Sequence, residues 1–389
     1  MLLLSTFNFT TIREELLSAI YGTFFDDYQR KSMGEHYTPP SIARWIIRRV
    51  RGQSFGKVLD PACGFGTFLV EGYLEFIGSA VNRGLIETDR AEQMTANLCG
   101  NDMNFFSATI AQMQMLWNLL RMPGERPEHP LPKLNIASGF HSLNPTSLLS
   151  QLDEMDVTAW SDLDTDKYSL VVGNPPYVRP ERRPMPPTAE QERFFSPVGA
   201  KSNIFLQFIY KAMSQWLEEG GRLGFVIPLT FVDTEESAPL RRLFQIGGSW
   251  KILEIVDMED LKRALFPSAN VRPIILIAQN TPATVDDRIT LRTPGQDCVT
   301  RSHSGENLDF NLDQAPASIV HTRPFGAMTV VFSLDLLTNA PSSRTVSHRC
   351  QRSLPSRNHT GTANKAHASP NAPWPQRSAD VKAGRKSAS

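Results

Sequence analysis

Cysteine is scarce in this chain and never usefully spaced. Cys63, Cys99, Cys298 and Cys350 are the only four in 389 residues, with no C-x-x-C pair and no His-rich neighbourhood. Neither a zinc site nor a disulfide framework is suggested, and reduced thiols fit a cytosolic protein. Long apolar runs are missing too, since none approaches the roughly 20 residues that span a bilayer. The start, Met1-Leu2-Leu3-Leu4, lacks the basic n-region and the h-region of a signal peptide. A soluble, cytoplasmic protein with no membrane partner is expected. Excess charge of one sign is also absent, because 40 basic and 40 acidic residues cancel. Any nucleic-acid contact would therefore need a local basic patch. No G-x-x-x-x-G-K-[ST] phosphate loop occurs, and the glycines are too few and wrongly spaced for a dinucleotide fingerprint.

What the chain does have is alternation. Apolar runs with strand character, such as Tyr168 to Gly173, Trp250 to Asp257 and Arg272 to Ala278, alternate with helical periodicity at Ile42 onward, Ala108 to Leu120 and Leu206 to Leu217. Ile12 to Tyr28 also has helical spacing. This order implies an α/β protein with a mainly parallel sheet covered on both faces. The Met113, Met115 and Leu116 stripe reads as core. Leu148 to Asp166 is acidic and reads as surface, and the proline-rich Pro180 to Pro197 reads as a long flexible loop.

Two turns carry chemistry. Asn174-Pro175-Pro176-Tyr177 follows the strand-like Tyr168 to Gly173. Two prolines donate no backbone N–H, so Asn174 and the Pro175 carbonyl are expected to present acceptors with no local donor to occupy them. Tyr177 adds a flat ring. Such a turn suits a planar amine such as a nucleobase, although a stiff turn after a core strand has the same composition. Upstream, Lys57 to Asp60 reads as a buried strand, followed by Pro61-Ala62-Cys63-Gly64-Phe65-Gly66-Thr67 and then helix. Strand, glycine-bearing turn and helix let a ligand approach backbone N–H groups, and an ordinary βα turn looks the same.

Together these segments resemble the S-adenosylmethionine-dependent N6-adenine DNA methyltransferases of the type I and type IIG (Eco57I-like) restriction-modification group. The resemblance runs in the family's order from about Ile12 to Asn280. It includes Gly34-Glu35-His36-Tyr37-Thr38-Pro39-Pro40, Gly100-Asn101-Asp102-Met103-Asn104, Ser202-Asn203-Ile204-Phe205, Gly220 to Pro228, and Phe266-Pro267 before Val271 to Ile277. It implies a doubly wound sheet with a late antiparallel strand, preceded by a helical N-terminal segment.

The resemblance also implies roles. Asn174, Pro175, Pro176 and Tyr177 would be catalytic, with S-adenosylmethionine as cofactor and no metal. Tyr37, Thr38 and Pro39 match the positions facing its methionine part. Asp60, Ala62 and Gly64 match the first cofactor loop, and Asp102 matches the acid that accepts from the ribose hydroxyls. Tyr177 and Phe266 would stack on an adenine flipped out of double-stranded DNA. The family often has Gly-Asp or Gly-Asn before Ser-Leu at the adenine-facing turn. Here the residues are Gly139-Phe140-His141-Ser142-Leu143, so no contact to the cofactor's adenine is assigned. Arg179, Arg182, Arg183 and Lys201 suit phosphate contacts, or form a solvated loop.

The expected organisation is a helical segment with a cofactor motif at 1–56, a catalytic domain at 57–282, a remnant of a downstream region at 283–340 and a disordered basic tail at 341–389. The tail is rich in Ser, Arg, Asn, Pro and Ala and resembles out-of-frame translation, which suggests a truncated methyltransferase. Three alternatives stay open: a weak or inactive fragment that only binds cofactor or DNA, a methyltransferase acting on protein glutamine or RNA, and an inert α/β domain whose motif matches are accidental. A specificity subunit or an endonuclease is the partner such a system would use.

Overall fold

The computed structural model describes residues 38–51, 56–78, 95–120, 133–139, 141–144, 157–178, 187–262, 271–301 and 308–321, all within the unit Met1–Pro341. Several expectations fall outside the described residues: the helix at Ile12 to Tyr28, Tyr37, Arg179, Arg182, Arg183, Phe266 and the 341–389 tail.

Eleven strands are described: β1 (Val58–Asp60), β2 (Leu98–Asp102), β3 (Asn135–Ser138), β4 (Tyr168–Gly173), β5 (Leu217–Pro228), β6 (Lys251–Asp257), β7 (Pro273–Gln279), β8 (Arg288–Arg292), β9 (Val299–Arg301), β10 (Leu308–Phe310) and β11 (Ala317–His321). The helices are α1 (Pro40–Val50), α2 (Thr67–Gly72), α3 (Phe105–Leu120), α4 (Val157–Thr165), α5 (Ala189–Phe194), α6 (Ile204–Lys211), α7 (Thr230–Asp233) and α8 (Ala238–Arg242).

Nine strands form one sheet in the order β11-β8-β6-β7-β5-β4-β1-β2-β3, and β9 pairs with β10 separately. β1 to β6 and β8 run parallel, whereas β7 runs antiparallel between β5 and β6, and β11 is antiparallel to β8. This is the doubly wound methyltransferase sheet, with its late reversed strand at β7. β8 and β11, from the segment expected as a downstream remnant, hydrogen-bond into the same sheet.

The central strands are buried on both faces, which explains their unbroken apolar runs at Val171–Val172, Phe225–Ile227 and Ile274–Ala278. One core lies between the sheet and α1, α2 and α3, through Ile46, Phe68 and Ala108. The other lies under α4 and α6, through Trp160, Phe205 and Phe208. Connections run to opposite sides from the neighbouring strands β1 and β4. The crevice beyond their carboxyl ends is where such sheets bind ligands.

Three local expectations are corrected. Val157–Thr165 is helix α4 rather than plain surface, because Trp160 and Leu163 face the core and Asp164 is buried with partners. Within Pro180 to Pro197, residues 189–194 form α5, which Thr188 and Gln191 start with a reciprocal capping box. Phe195 beyond it is buried. Of the methionine stripe, Met115 is core but Met113 is exposed.

Helix α1 sets the depth of the first core. Pro40 occupies its first turn, where no N–H is needed, and Arg48 and Arg49 stand in its last turn, where the helix dipole favours cations. Its buried face meets β5 at Gly224, where a Cβ would lie 2.5 Å from Ile46 Cγ2 and 2.8 Å from Val50 Cγ1. Arg49 also pairs at 2.7 Å with Glu254 of β6, which Arg292 of β8 joins from the other side. Gly224→Ala should therefore cost about 1–3 kcal/mol by overpacking, read as a lower urea midpoint. An unchanged midpoint would mean that α1 does not rest on β5.

Candidate functional site

The loop expected to hold the cofactor is built by β1 running straight into a turn. Asp60, the last residue of β1, is 1% exposed, and its Oδ1 accepts the Ala62 N–H at 3.2 Å. Cys63 N–H bonds the Asn101 carbonyl at 2.9 Å, tying the loop to β2. Gly64 has φ 51°, and nothing lies within 4 Å of where its Cβ would be. Its N–H donates to Asp102 Oδ2 at 2.8 Å, while Asp102 Oδ1 accepts Asn104 N–H at 2.8 Å. The carboxylate that ends β2 therefore holds the loop that follows β1.

The Asn174–Tyr177 turn, expected to be catalytic, lies beside this loop. Gly173 ends β4 with φ 152°, and a Cβ there would sit 2.7 Å from Asp60 Oδ1. The strand that delivers Asn174 thus rests on the strand that delivers Asp60. Asn174 Nδ2 donates to Thr38 Oγ1 at 3.1 Å, which brings the segment leading into α1 to the same place. Pro175 is buried, and Pro176 is part-exposed.

One expectation about Asn174 is corrected. Its acceptor does meet a local donor, since the Tyr177 hydroxyl donates to Asn174 Oδ1 at 2.6 Å and lies 3.1 Å from the Val226 carbonyl. One hydroxyl hydrogen cannot serve both oxygens fully. The Tyr177 ring packs edge-on against Phe205, with centroids 6.3 Å apart. In this state it is a part-buried wall of the turn rather than an open stacking plate.

Electrostatics follow from burial. Desolvation pushes the Asp60 carboxyl well above the usual carboxylate range; the Ala62 N–H opposes that shift and the charge of Asp102 adds to it. Asp102 is also raised by burial, against the two backbone N–H bonds it accepts. Burial likewise raises the Tyr177 phenol and the Cys63 thiol.

The structure therefore brings together Thr38, Pro39, Asp60, Ala62, Gly64, Asp102, Asn174, Pro175, Pro176 and Tyr177 at the carboxyl end of the sheet. Lys201 is exposed beyond the catalytic turn. The turn after β3 joins them. Gly139 N–H bonds the Asp102 carbonyl at 3.0 Å, and Ser142 Oγ donates to the Pro61 carbonyl. Nothing in the spacing of the sequence singled out Ser142.

Residues 96–263 match the family model described as Eco57I restriction-modification methylase. The chain carries an Eco57I-like restriction-modification methylase domain. It is similar to the modification methylase CviBIII of Paramecium bursaria Chlorella virus NC1A, 31% identical over 118 residues, or 30% of this chain and 28% of that protein. It is also similar to the type II restriction enzyme and methyltransferase RM.Eco57I of Escherichia coli, 23% identical over 290 residues, or 61% of this chain and 29% of that one. Among solved structures, the DrdV–DNA complex has a TM-score of 0.57 at 17% identity, covering 75% of this chain and 31% of that one. The chain spans less than a third of the length of each of these proteins. The methylase domain shares its fold with the last of them.

A pH test follows from Asp60. Its raised folded-state pKa means that the folded state holds a proton that the unfolded state has released, so stability falls as pH rises through that interval. Asp60→Asn removes this loss. The variant should melt at a higher temperature than the parent at pH 8, with the gap closing toward pH 4. A gap that is the same at both pH values would contradict a buried, proton-retaining carboxyl.

Proposed function

We propose that this chain transfers a methyl group from S-adenosylmethionine to the N6 amine of an adenine flipped out of duplex DNA, as the modification component of a restriction-modification or related defence system. The observation that carries this reading is the junction of the Asp60 loop and the Asn174 turn in one crevice. A fold can host many chemistries, so the reading rests on these residues and not on the sheet alone.

The cofactor fits the residues present. Gly64 leaves open space where any side chain would stand, and its N–H is fixed on Asp102. Each Asp102 oxygen has one lone pair taken by the protein, which leaves acceptor capacity for ribose hydroxyls. Thr38 and Pro39, with Tyr37 before them, would face the methionine part, and Asp60, Ala62 and Gly64 would line the loop. When bound, the sulfonium supplies an activated methyl group, so the protein's task is positioning.

Adenine N6 is a poor nucleophile because its lone pair is delocalised into the ring. Asn174 Oδ1 and the Pro175 carbonyl would accept its two hydrogens and favour a pyramidal nitrogen whose lone pair points at the methyl carbon. Thr38 holds the Asn174 amide in the orientation that turns Oδ1 away from α1. Tyr177 would first release Asn174 Oδ1 and then stack on the base, together with Phe266. Extruding the base costs a few kcal/mol, and a base–aromatic stack returns about 1–3 kcal/mol.

Lys201, Arg179, Arg182 and Arg183 would contact phosphates, with binding that weakens steeply as salt rises. The catalytic domain proposed for 57–282 contains the seven strands β1 to β7, and β8 and β11 extend its sheet from the 283–340 segment. A specificity subunit or an endonuclease would complete the system.

The test is nucleoside mass spectrometry after incubating the chain with S-adenosylmethionine and genomic DNA. N6-methyladenine should appear with the parent and with Tyr177→Phe, which keeps the ring and removes the hydroxyl's bond to Asn174 Oδ1. Asn174→Ala should give none while binding the cofactor as the parent does. Label found in RNA or in protein glutamine instead would replace the DNA reading, and cofactor binding without any transfer would make the chain a binding fragment.

A further inference from the structure

We propose that Lys211 is a positioning residue for the cofactor. It acts by fixing the turn after β3 against the Asp60 loop, and the inference rests on the cofactor reading above. Lys211 ends α6, on the opposite face of the sheet from α1, and is 4% exposed. A lysine is rarely taken so far from water without partners. Its ammonium bonds Asp164 Oδ1 of α4 at 2.7 Å, donates to the Ser142 carbonyl at 2.7 Å and lies 5.1 Å from the Trp216 ring centre. Asp164 Oδ1 also accepts the Trp216 indole N–H at 2.8 Å.

The bond to Ser142 is the informative one. Asp164 and the Trp216 ring alone would satisfy a structural ion pair, but a second N–H is spent on a loop carbonyl at the ligand end of the sheet. Ser142 is itself buried between the two cofactor elements. Its hydroxyl donates to the Pro61 carbonyl in the first loop and accepts from Asn101 Nδ2 of β2 at 2.7 Å. The next residues of the turn are held as well, because Gln191 Nε2 of α5 donates to the Leu143 carbonyl and to Asn144 Oδ1, each at 3.1 Å. The turn therefore has three anchors: Lys211 from α6, Ser142 onto the Pro61–Asn101 pair, and Gln191 from α5. α5 follows the catalytic turn in the chain, so the same turn links the cofactor side to the substrate side.

An ion pair kept for stability and one kept for position respond differently to replacement. Exchanging a buried pair for apolar residues of similar volume is often neutral or stabilising, whereas removing one partner leaves an unpaired charge. Lys211→Met should lower both the melting temperature and the affinity for S-adenosylmethionine. The double variant Lys211→Met/Asp164→Leu should regain part of the melting temperature, the remainder staying lost with the acceptor of the Trp216 indole N–H. It should still bind S-adenosylmethionine about tenfold more weakly than the parent in calorimetry, because the bond to the Ser142 carbonyl stays lost.

Hydrogen exchange should quicken at 141–144 in that double variant and not in β4 or β5. If it regains parental affinity together with that part of its melting temperature, Lys211 is a structural residue only and the proposal fails. If its melting temperature stays as low as that of Lys211→Met, Lys211→Arg decides: parental exchange at 141–144 with parental affinity supports positioning, and weak binding with a parental melting temperature and parental exchange overturns it. A parent chain that binds no S-adenosylmethionine at all would overturn the cofactor reading, and this proposal with it.

Discussion

The close approach of Asp60 to Gly173 sets the geometry on which the rest of the site depends. β1 and β4 are parallel neighbours in the sheet, and the chain after each passes to an opposite face of it. At the point of departure a carboxylate from one strand lies against the backbone of the other, with no room for even a methyl group between them. That contact fixes the spacing between a loop suited to a cofactor and a turn suited to an amine. It has a cost, because the carboxyl is buried with a single backbone N–H and a second carboxylate nearby. Local polar strain of this kind concentrates at functional sites and is offset by packing elsewhere. Here the two apolar layers on either face of the sheet supply the offset.

The Asn174 turn shows a related compromise. Asn174 is held by Thr38 on one side and by Tyr177 on the other, so the polar groups of the turn satisfy one another. Such a turn is held intact while its acceptor is covered. On the proposed function, release of Tyr177 would be part of substrate binding, and the energy of stacking would offset the lost hydrogen bond. Asp102 plays a corresponding part beside the Gly64 loop, its Oδ2 accepting the Gly64 N–H and its Oδ1 the Asn104 N–H that follows β2.

Much of the fold was legible because buried parallel strands read as apolar runs. β4, β6 and β7 stand within a residue or two of the segments picked out by pattern. The two short motifs were legible for a different reason, since prolines and glycines announce turns directly. What was hidden depends on contacts distant in sequence. The bond between Thr38 and Asn174 joins residues 136 positions apart, and the one between Lys211 and Ser142 spans 69. No periodicity encodes either. α4 was hidden by its own composition, because acidic residues around Trp160 and Leu163 mask an apolar face. Asp164, counted as a surface charge, is the buried partner of Lys211. The capping box of α5 was readable as Thr188 with Gln191 three residues on, but the surrounding prolines pointed to a loop.

The central claim is that the Asp60 loop and the Asn174 turn form one site because of the contact at Gly173. Gly173→Ala addresses it directly, since position 173 touches no expected cofactor group, yet a methyl there must displace Asp60. Calorimetry of S-adenosylmethionine binding to this variant, on protein shown to be folded by circular dichroism, is the decisive measurement. Affinity at least about tenfold below the parent is expected, from a loop pushed out of register by a residue on another strand. Parental affinity in the folded variant would contradict it, and would mean that the two motifs are neighbours without being a single site.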